Sequence, residues 1–293
     1  MSTAAGTEPT VVGVDGSAAS KVALDWAARD AAMRRVSLKL VHVLTSPGLS
    51  AVPEVPMPPG YLKWQQDESH RLLESARETA VQAAGGTAIE ISSEIVSGAT
   101  VPTLVEASAA AGLLVVGCRG QGALRRGLLG SVSTGVVHHA MCPVAVIHDE
   151  DPLIPHPSKA PVVVGVDGSP VSEKALAIAF EQASFRGVDL LAVHAWSDSG
   201  IFEFPGADWS AQQQMGEEVL GERLSGWQER YPDVLVRRLV VPDRPADQLL
   251  EQGAAAQLLV VGSHGRGGFA GALLGSVSTT VVHGATMPVI VAR

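Results

Sequence analysis

The sequence predicts an α/β fold: two domains in tandem, each a five-stranded parallel sheet covered by helices. Three observations predict it. The chain repeats itself, short aliphatic runs alternate with helical patterns, and the core has to be small and aliphatic. Hydrophobic residues make up 46% of the 293 residues but aromatics only 4%. Val, Leu, Ile and Ala must therefore fill the interior, as in parallel strands buried on both faces. At roughly 150 residues per domain, the length accommodates two.

The repeat is literal. Val11-Val12-Gly13-Val14-Asp15-Gly16-Ser17 returns as Val163-Val164-Gly165-Val166-Asp167-Gly168-Ser169. Leu113–Gly117 returns as Leu258–Gly262, and Leu128–Thr134 as Leu273–Thr279. The first match is offset by 152 residues and the other two by 145, so the second copy is seven residues shorter. The extra length is expected after His42, where Pro47 to Pro59 reads as a surface loop. The run Asp149 to Pro161 is proline-rich and polar, an extended, stiff connection. It divides the chain into domain 1–149, linker 150–161 and domain 162–293.

Each half opens with a strand, Val11–Val14 or Val162–Val166, then an Asp-Gly-Ser turn and a helix; Ser17 is the expected N-cap. The second strand is Leu38–Val43 or Leu190–Ala195. A long helix follows, Trp64–Ala84 or Trp209–Tyr231. The third strand is Ile89–Val96 or Val234–Val241, leading into a short helix near Val101–Ala110 or Ala246–Ala255. The fourth strand, Leu113–Gly117 or Leu258–Gly262, runs into a glycine loop. A helix over Ser131–Ala140 or Ser276–Ala285 and a last strand, Val144–Ile147 or Val289–Ala292, complete each half. In such sheets ligands sit beyond the carboxyl ends of the strands, at the switch point. Asp15 and the loop after Gly117 both lie there.

The loop carries the chemistry. Gly117-x2-Gly120 is followed after nine residues by Gly130-Ser131, and Gly262-x2-Gly265 after nine by Gly275-Ser276. Glycines are expected to let this loop take positive φ and bring backbone N–H groups close to an anion. The second half of the motif, Gly-Ser-Val-Ser, opens a helix whose free N–H groups suit phosphate. Ser131, Val132 and Ser133, with Ser276, Val277 and Ser278, form that opening.

With this spacing in both halves, the chain resembles the ATP-binding branch of the universal stress protein family, in tandem form as in actinobacteria. The resemblance implies doubly wound sheets of order 3-2-1-4-5 and ATP, with Mg²⁺, as cofactor. It implies that Asp15 and Asp167 lie near the ribose and any Mg²⁺. It implies that the backbone of Val43 and Ala195 meets adenine. It implies that Gly117, Gly120, Gly130 and Ser131, with Gly262, Gly265, Gly275 and Ser276, hold phosphates, and that Ser133 and Ser278 reach the outer ones. The loop interiors differ, Arg119, Gln121, Arg125 and Arg126 against His264, Arg266 and Gly268, which leaves room for different affinities. In the resembling family the last strand pairs subunits. Here that implies pairing of the two halves within the chain, and a homodimer of whole chains beyond it.

Other readings of single residues are plainer. Asp15 and Asp167 could merely cap the following helices. His42 and His194, His138 and His283, and His139 show no metal-ligand spacing and read as structural or surface residues. Cys118 sits inside the loop, where a lowered thiol pKa would permit redox chemistry, but the second copy has Ser263 there. Cys142 reads as inert.

A net charge of −9 excludes phosphate-backbone binding to nucleic acid. The polar start does not read as a signal peptide, no apolar run approaches the ~18 residues of a span, and two cysteines fit a reducing compartment. A cytoplasmic protein without nucleic-acid partner is expected. ATP occupancy read by unknown protein partners is the leading function, without dedicated catalysis. A slow ATPase or phosphotransferase is the alternative, although no Gly-x4-Gly-Lys-Ser/Thr loop or evident base is present. A scaffold stabilised by nucleotide is another. Gly265–Ala270 fits a loose dinucleotide string but follows the fourth strand and lacks an acid about 20 residues on.

Overall fold

A computed structural model describes residues 8–45, 60–120, 129–148, 159–195, 209–242, 244–265 and 274–293. The run Pro47 to Pro59, most of the linker, and Gln121, Arg125, Arg126, Arg266 and Gly268 lie outside the described residues. The chain divides into two compact units, Met1–Asp149 and Glu150–Arg293.

The first unit runs β1 (Thr10–Gly13), α1 (Ala18–Arg34), β2 (Leu38–Leu44), α2 (Tyr61–Ala83), β3 (Ile91–Ser97), α3 (Thr100–Ser108), β4 (Leu113–Gly117), α4 (Ser131–His139) and β5 (Val144–Ile147). All its strand pairs are parallel, in the order β3-β2-β1-β4-β5. The chain starts in the middle, builds outward through β2 and β3, then crosses back to β4. That reversal sets the switch point between β1 and β4. Val11, Val12, Leu38, Leu40, Leu114 and Val115 are all essentially inaccessible and form the centre of the core. Truncating one of these leucines to Ala would cost about 3 kcal/mol.

The second unit repeats the plan: β6 (Val162–Gly165), α5 (Pro170–Arg186), β7 (Leu190–Ala195), α6 (Trp209–Leu224), α7 (Trp227–Arg230), β8 (Val236–Val241), α8 (Pro245–Gly253), β9 (Leu258–Gly262), α9 (Ser276–Gly284) and β10 (Val289–Ala292). Its parallel order is β8-β7-β6-β9-β10. The register pairs Leu38 with Ile91 and Leu190 with Val236. The missing residues of the second copy therefore fall between its second and third strands.

One predicted helix is two. The pattern over Trp209–Tyr231 breaks after Leu224, because Gly226 takes φ 81° and a new short helix starts at Trp227. Lacking Cβ, glycine reverses the chain there without steric cost. The reversal stacks Trp227 and Tyr231 on the buried Phe180, with ring centroids 5.6 and 5.7 Å away. The first helix of each unit starts as expected: Ser17 and Ser169 accept from the N–H groups of Ser20 and Ser172 as N-caps. The two helices end differently. Gly187 closes α5 in the left-handed region, φ 63°, and Arg35 closes α1 there at φ 55°.

Candidate functional site

The site starts at the turn after β1. Gly16 takes φ 83°, which tightens the turn. The Ser17 N–H donates to Asp15 Oδ1 at 2.9 Å, and the Asp15 N–H donates to Ser20 Oγ at 3.2 Å. Ser17, not Asp15, caps the helix, so the carboxylate is not explained by capping. In the second unit the Ser169 N–H donates to Asp167 Oδ1 at 2.9 Å and Gly168 takes φ 81°.

The loop after β4 meets this turn. A Cβ placed on Gly120 would stand 2.7 Å from Asp15 Oδ2, and one on Gly265 would stand 2.6 Å from Asp167 Oδ2. The two segments that the switch-point rule assigns to one site are thus in contact in both units.

The glycines work differently from the expectation. None of Gly117, Gly120, Gly130, Gly262, Gly265 or Gly275 has positive φ; among the described residues, the positive-φ glycine of each site is the one in the Asp-Gly-Ser turn. Close approach explains them instead. A Cβ on Gly117 would lie 2.7 Å from the backbone carbonyl of Ala19, so this glycine admits α1 against the end of β4. Gly120 admits the Asp15 carboxylate. The expected part of Gly117 in phosphate binding is accordingly joined by a packing role that the motif conceals. At Gly262 the nearest atom is Val171 Cγ1 at 3.1 Å, a looser fit.

The start of α4 is held open by glycine. The Gly130 N–H donates to Cys118 O at 2.8 Å, and Thr134 N–H closes the first turn on Gly130 O at 3.0 Å. Gly130 is extended, φ −69° and ψ 159°, and gives no side-chain cap bond. The first-turn amides of Ser131, Val132 and Ser133 have no intrahelical acceptor. Gly275 does the same for Ser276, Val277 and Ser278. Where α1 and α5 fill their N-termini with a serine hydroxyl, α4 and α9 leave theirs to other partners. Ser131 and Ser276 are exposed there.

Ser133 and Ser278 also have partners within the fold. Ser133 is buried, and its hydroxyl donates to Gly117 O at 2.7 Å; Ser278 donates to Gly262 O at 2.5 Å. These hydroxyls tie the helix to the end of the preceding strand. Their backbone N–H groups still belong to the opening turn.

A cleft of about 800 Å³ in the first unit joins these parts. Asp15, Gly117, Arg119, Gly120 and Gly130 to Ser133 line it, with Val43 at the end of β2. One wall was not foreseen: Gln65, Glu68, Ser69 and Leu72 of α2. Their spacing, three, four and seven residues from Gln65, is that of one helical face, a signal present in the sequence. Gln65 Nε2 donates to Thr45 O at 3.4 Å. In the second unit Ala195 ends β7, Val43 is the next to last residue of β2, and His264 takes the place of Arg119.

The histidines are structural where the strands end. His42 Nδ1 donates to Val14 O at 2.7 Å and His194 Nδ1 to Val166 O at 2.6 Å, each fastening a second strand to the turn of the first. Among the described residues no group of three or more His, Cys, Asp or Glu side chains is gathered as for a metal ion. Cys118 and Cys142 are buried and not joined in a disulfide. Ser263 is buried in the place of Cys118.

This geometry defines a class: tandem doubly wound α/β domains, each with an acidic turn and a glycine-capped helix start facing one another at the switch point. The chain belongs to the Universal stress protein family, which matches residues 7–148 and 160–293. It is 56% identical over 286 residues to universal stress protein Rv2623 of Mycobacterium tuberculosis, covering 97% of this chain and 95% of that one. It is 55% identical over 284 residues to Rv2005c of the same organism, covering 97% and 96%. Among solved structures, a universal stress protein from Archaeoglobus fulgidus shares the fold at 22% identity, with a TM-score of 0.71 over 99% of this chain and 97% of that one. No described helix is long and apolar enough to cross a membrane.

Proposed function

We propose that each unit binds ATP with Mg²⁺, and that occupancy rather than turnover is the output, read by protein partners. The observation that carries this reading is the glycine at the N-cap of α4 and of α9. A helix that begins without a side-chain cap, beside a second loop, offers unpaired amide donors to an anion. The cleft of about 800 Å³ is of a size usual for small-molecule sites, roughly 300–1,000 Å³.

The residues fit the group. Gly130, Ser131 and Val132, with the backbone of Gly117, Gly120 and Ser133, would hold phosphates in the first unit, as would Gly262, Gly265 and Gly275 to Ser278 in the second. Arg119 lines the first cleft and adds a positive charge. Asp15 and Asp167 stand where they would share Mg²⁺ with the phosphates, which supply the other oxygens such an ion needs. Val43 and Ala195 would present backbone to the base. When bound, ATP would bring a polyanion to the uncapped start of α4 or of α9.

The test is the ligand released on denaturing the purified protein, identified by mass spectrometry. An adenine nucleotide at up to two per chain is expected, and none from the variant Asp15→Ala with Asp167→Ala. An empty wild-type protein that also fails to take up added ATP rejects the reading. Hydrolysis faster than about one per second would favour an enzyme instead.

A further inference from the structure

One hydrogen-bond donor in the first cleft is left over. Ser20, in the first turn of α1, is 4% exposed and lines the cleft. Its hydroxyl oxygen accepts the Asp15 N–H at 3.2 Å, and its own N–H donates to the Ser17 hydroxyl at 3.1 Å. The residue before it, Ala19, packs its carbonyl against Gly117 at the end of β4. Ser20 thus sits at the switch point, bonded to the turn after β1 and beside the end of β4. Among the described residues its hydroxyl proton meets no acceptor. A buried donor left so is costly, and it calls for a specific cause.

The second copy has used this donor up. The offset of 152 sets Ser172 at the position of Ser20. Its hydroxyl donates to Ser169 O at 2.8 Å, within its own helical turn. In the first unit the matching carbonyl, Ser17 O, accepts the Lys21 N–H at 3.1 Å and takes nothing from the Ser20 hydroxyl.

The surroundings select the group that Ser20 would meet. A phosphate oxygen only accepts, and the Asp15 carboxylate beside Ser20 repels it wherever no cation intervenes. A sugar hydroxyl both accepts and donates. One such group can accept from Ser20 and donate to Asp15, whose two oxygens have room for this and for a cation. The sheet order agrees, because β1 lies between β2 and β4. A nucleotide with its base past β2 and its phosphates past β4 carries its sugar over the end of β1.

We propose that the Ser20 hydroxyl donates to a ribose hydroxyl of the nucleotide, so that the first site favours ribonucleotides over deoxy analogues, and that Ser172 makes no such contact in the second. This rests on the proposed nucleotide site and goes beyond it. The experiment reads each site in the full chain with the other closed, by Gly275→Asp or by Gly130→Asp. ATP, 2′-deoxy-ATP and 3′-deoxy-ATP are titrated in parallel. At the first site one of the two analogues is expected to bind about fivefold more weakly than ATP, the size of one hydrogen bond between neutral groups. Ser20→Ala should weaken ATP by about the same factor and leave that analogue within twofold, which also shows that the variant is folded. Ser172→Ala should leave ATP at the second site within twofold. Undiminished ATP binding by Ser20→Ala would overturn the inference. So would an equal loss of all three ligands, which makes Ser20 only a brace for the Asp15 turn. No binding of any ligand at either wild-type site would instead reject the nucleotide reading beneath it.

Discussion

Asp15 Oδ2 stands 2.7 Å from where a Cβ on Gly120 would be. The acidic turn after β1 and the glycine loop after β4 therefore leave no room for even one methyl between them. Gly120→Ala should displace the carboxylate and weaken ATP binding in the first unit by at least about tenfold. The obstacle is the end of a side chain, so stability should fall by no more than about 1 kcal/mol, the low end of overpacking costs. Titration and thermal unfolding of the one variant measure both. Gly265→Ala should act alike on the second unit, where the gap is 2.6 Å.

Gly117 behaves otherwise, because its obstacle is backbone. A Cβ there meets the Ala19 carbonyl at 2.7 Å, against 3.1 Å to a valine methyl at Gly262. Gly117→Ala should destabilise the first unit by about 1–3 kcal/mol, and Gly262→Ala by clearly less. Denaturant unfolding of the pair checks the order.

Arg35 ends α1 with φ 55°, where the second copy uses Gly187. The left-handed region costs a residue with Cβ about 1 kcal/mol. Arg35→Gly should raise the stability of the first unit by up to that amount, seen as a higher melting temperature without ligand.

Tyr231 predicts an alkaline limit. Burial raises its phenol above the ordinary value of 10.0, against the opposing pull of the Arg230 guanidinium. The folded state thus holds the proton more tightly than the unfolded state. The associated stability is complete below pH 10 and is lost as the pH climbs through the higher folded value. Tyr231→Phe should flatten that part of the stability curve, followed by near-ultraviolet unfolding between pH 8 and about 11.

Much of this was legible in the sequence, for identifiable reasons. The strands around Val12, Leu40 and Val115 are uninterrupted aliphatic runs, and the repeat doubled every signal. The meeting of Asp15 with Gly120 followed from parallel topology, since both leave strand ends at the reversal. Less was legible where one residue type serves several causes. Glycine spacing marked the loop but could not say that Gly117 admits a helix, Gly120 a carboxylate and Gly130 an open helix end. The hydrogen bond of Ser133 to Gly117 O was not legible, because it joins residues 16 apart in sequence. The break at Gly226 inside the expected helix Trp209–Tyr231 depends on Trp227 and Tyr231 stacking on Phe180, a contact distant in sequence. Gln65 and Glu68 are not marked by any motif, because nothing local says that their helix face closes a cleft.

The central claim is that two uncapped helix starts receive phosphates, and calorimetric titration with Mg²⁺-ATP of the variant Gly130→Asp with Gly275→Asp tests it most directly. Both positions have backbone angles open to any residue, and a Cβ meets nothing closer than 3.4 Å. An aspartate there caps the helix, worth only a few tenths of a kcal/mol over glycine, and sets a negative charge where the phosphates belong. The account predicts two binding sites in the wild-type chain and none in a variant that melts no lower. Two sites of undiminished affinity in that variant would contradict it.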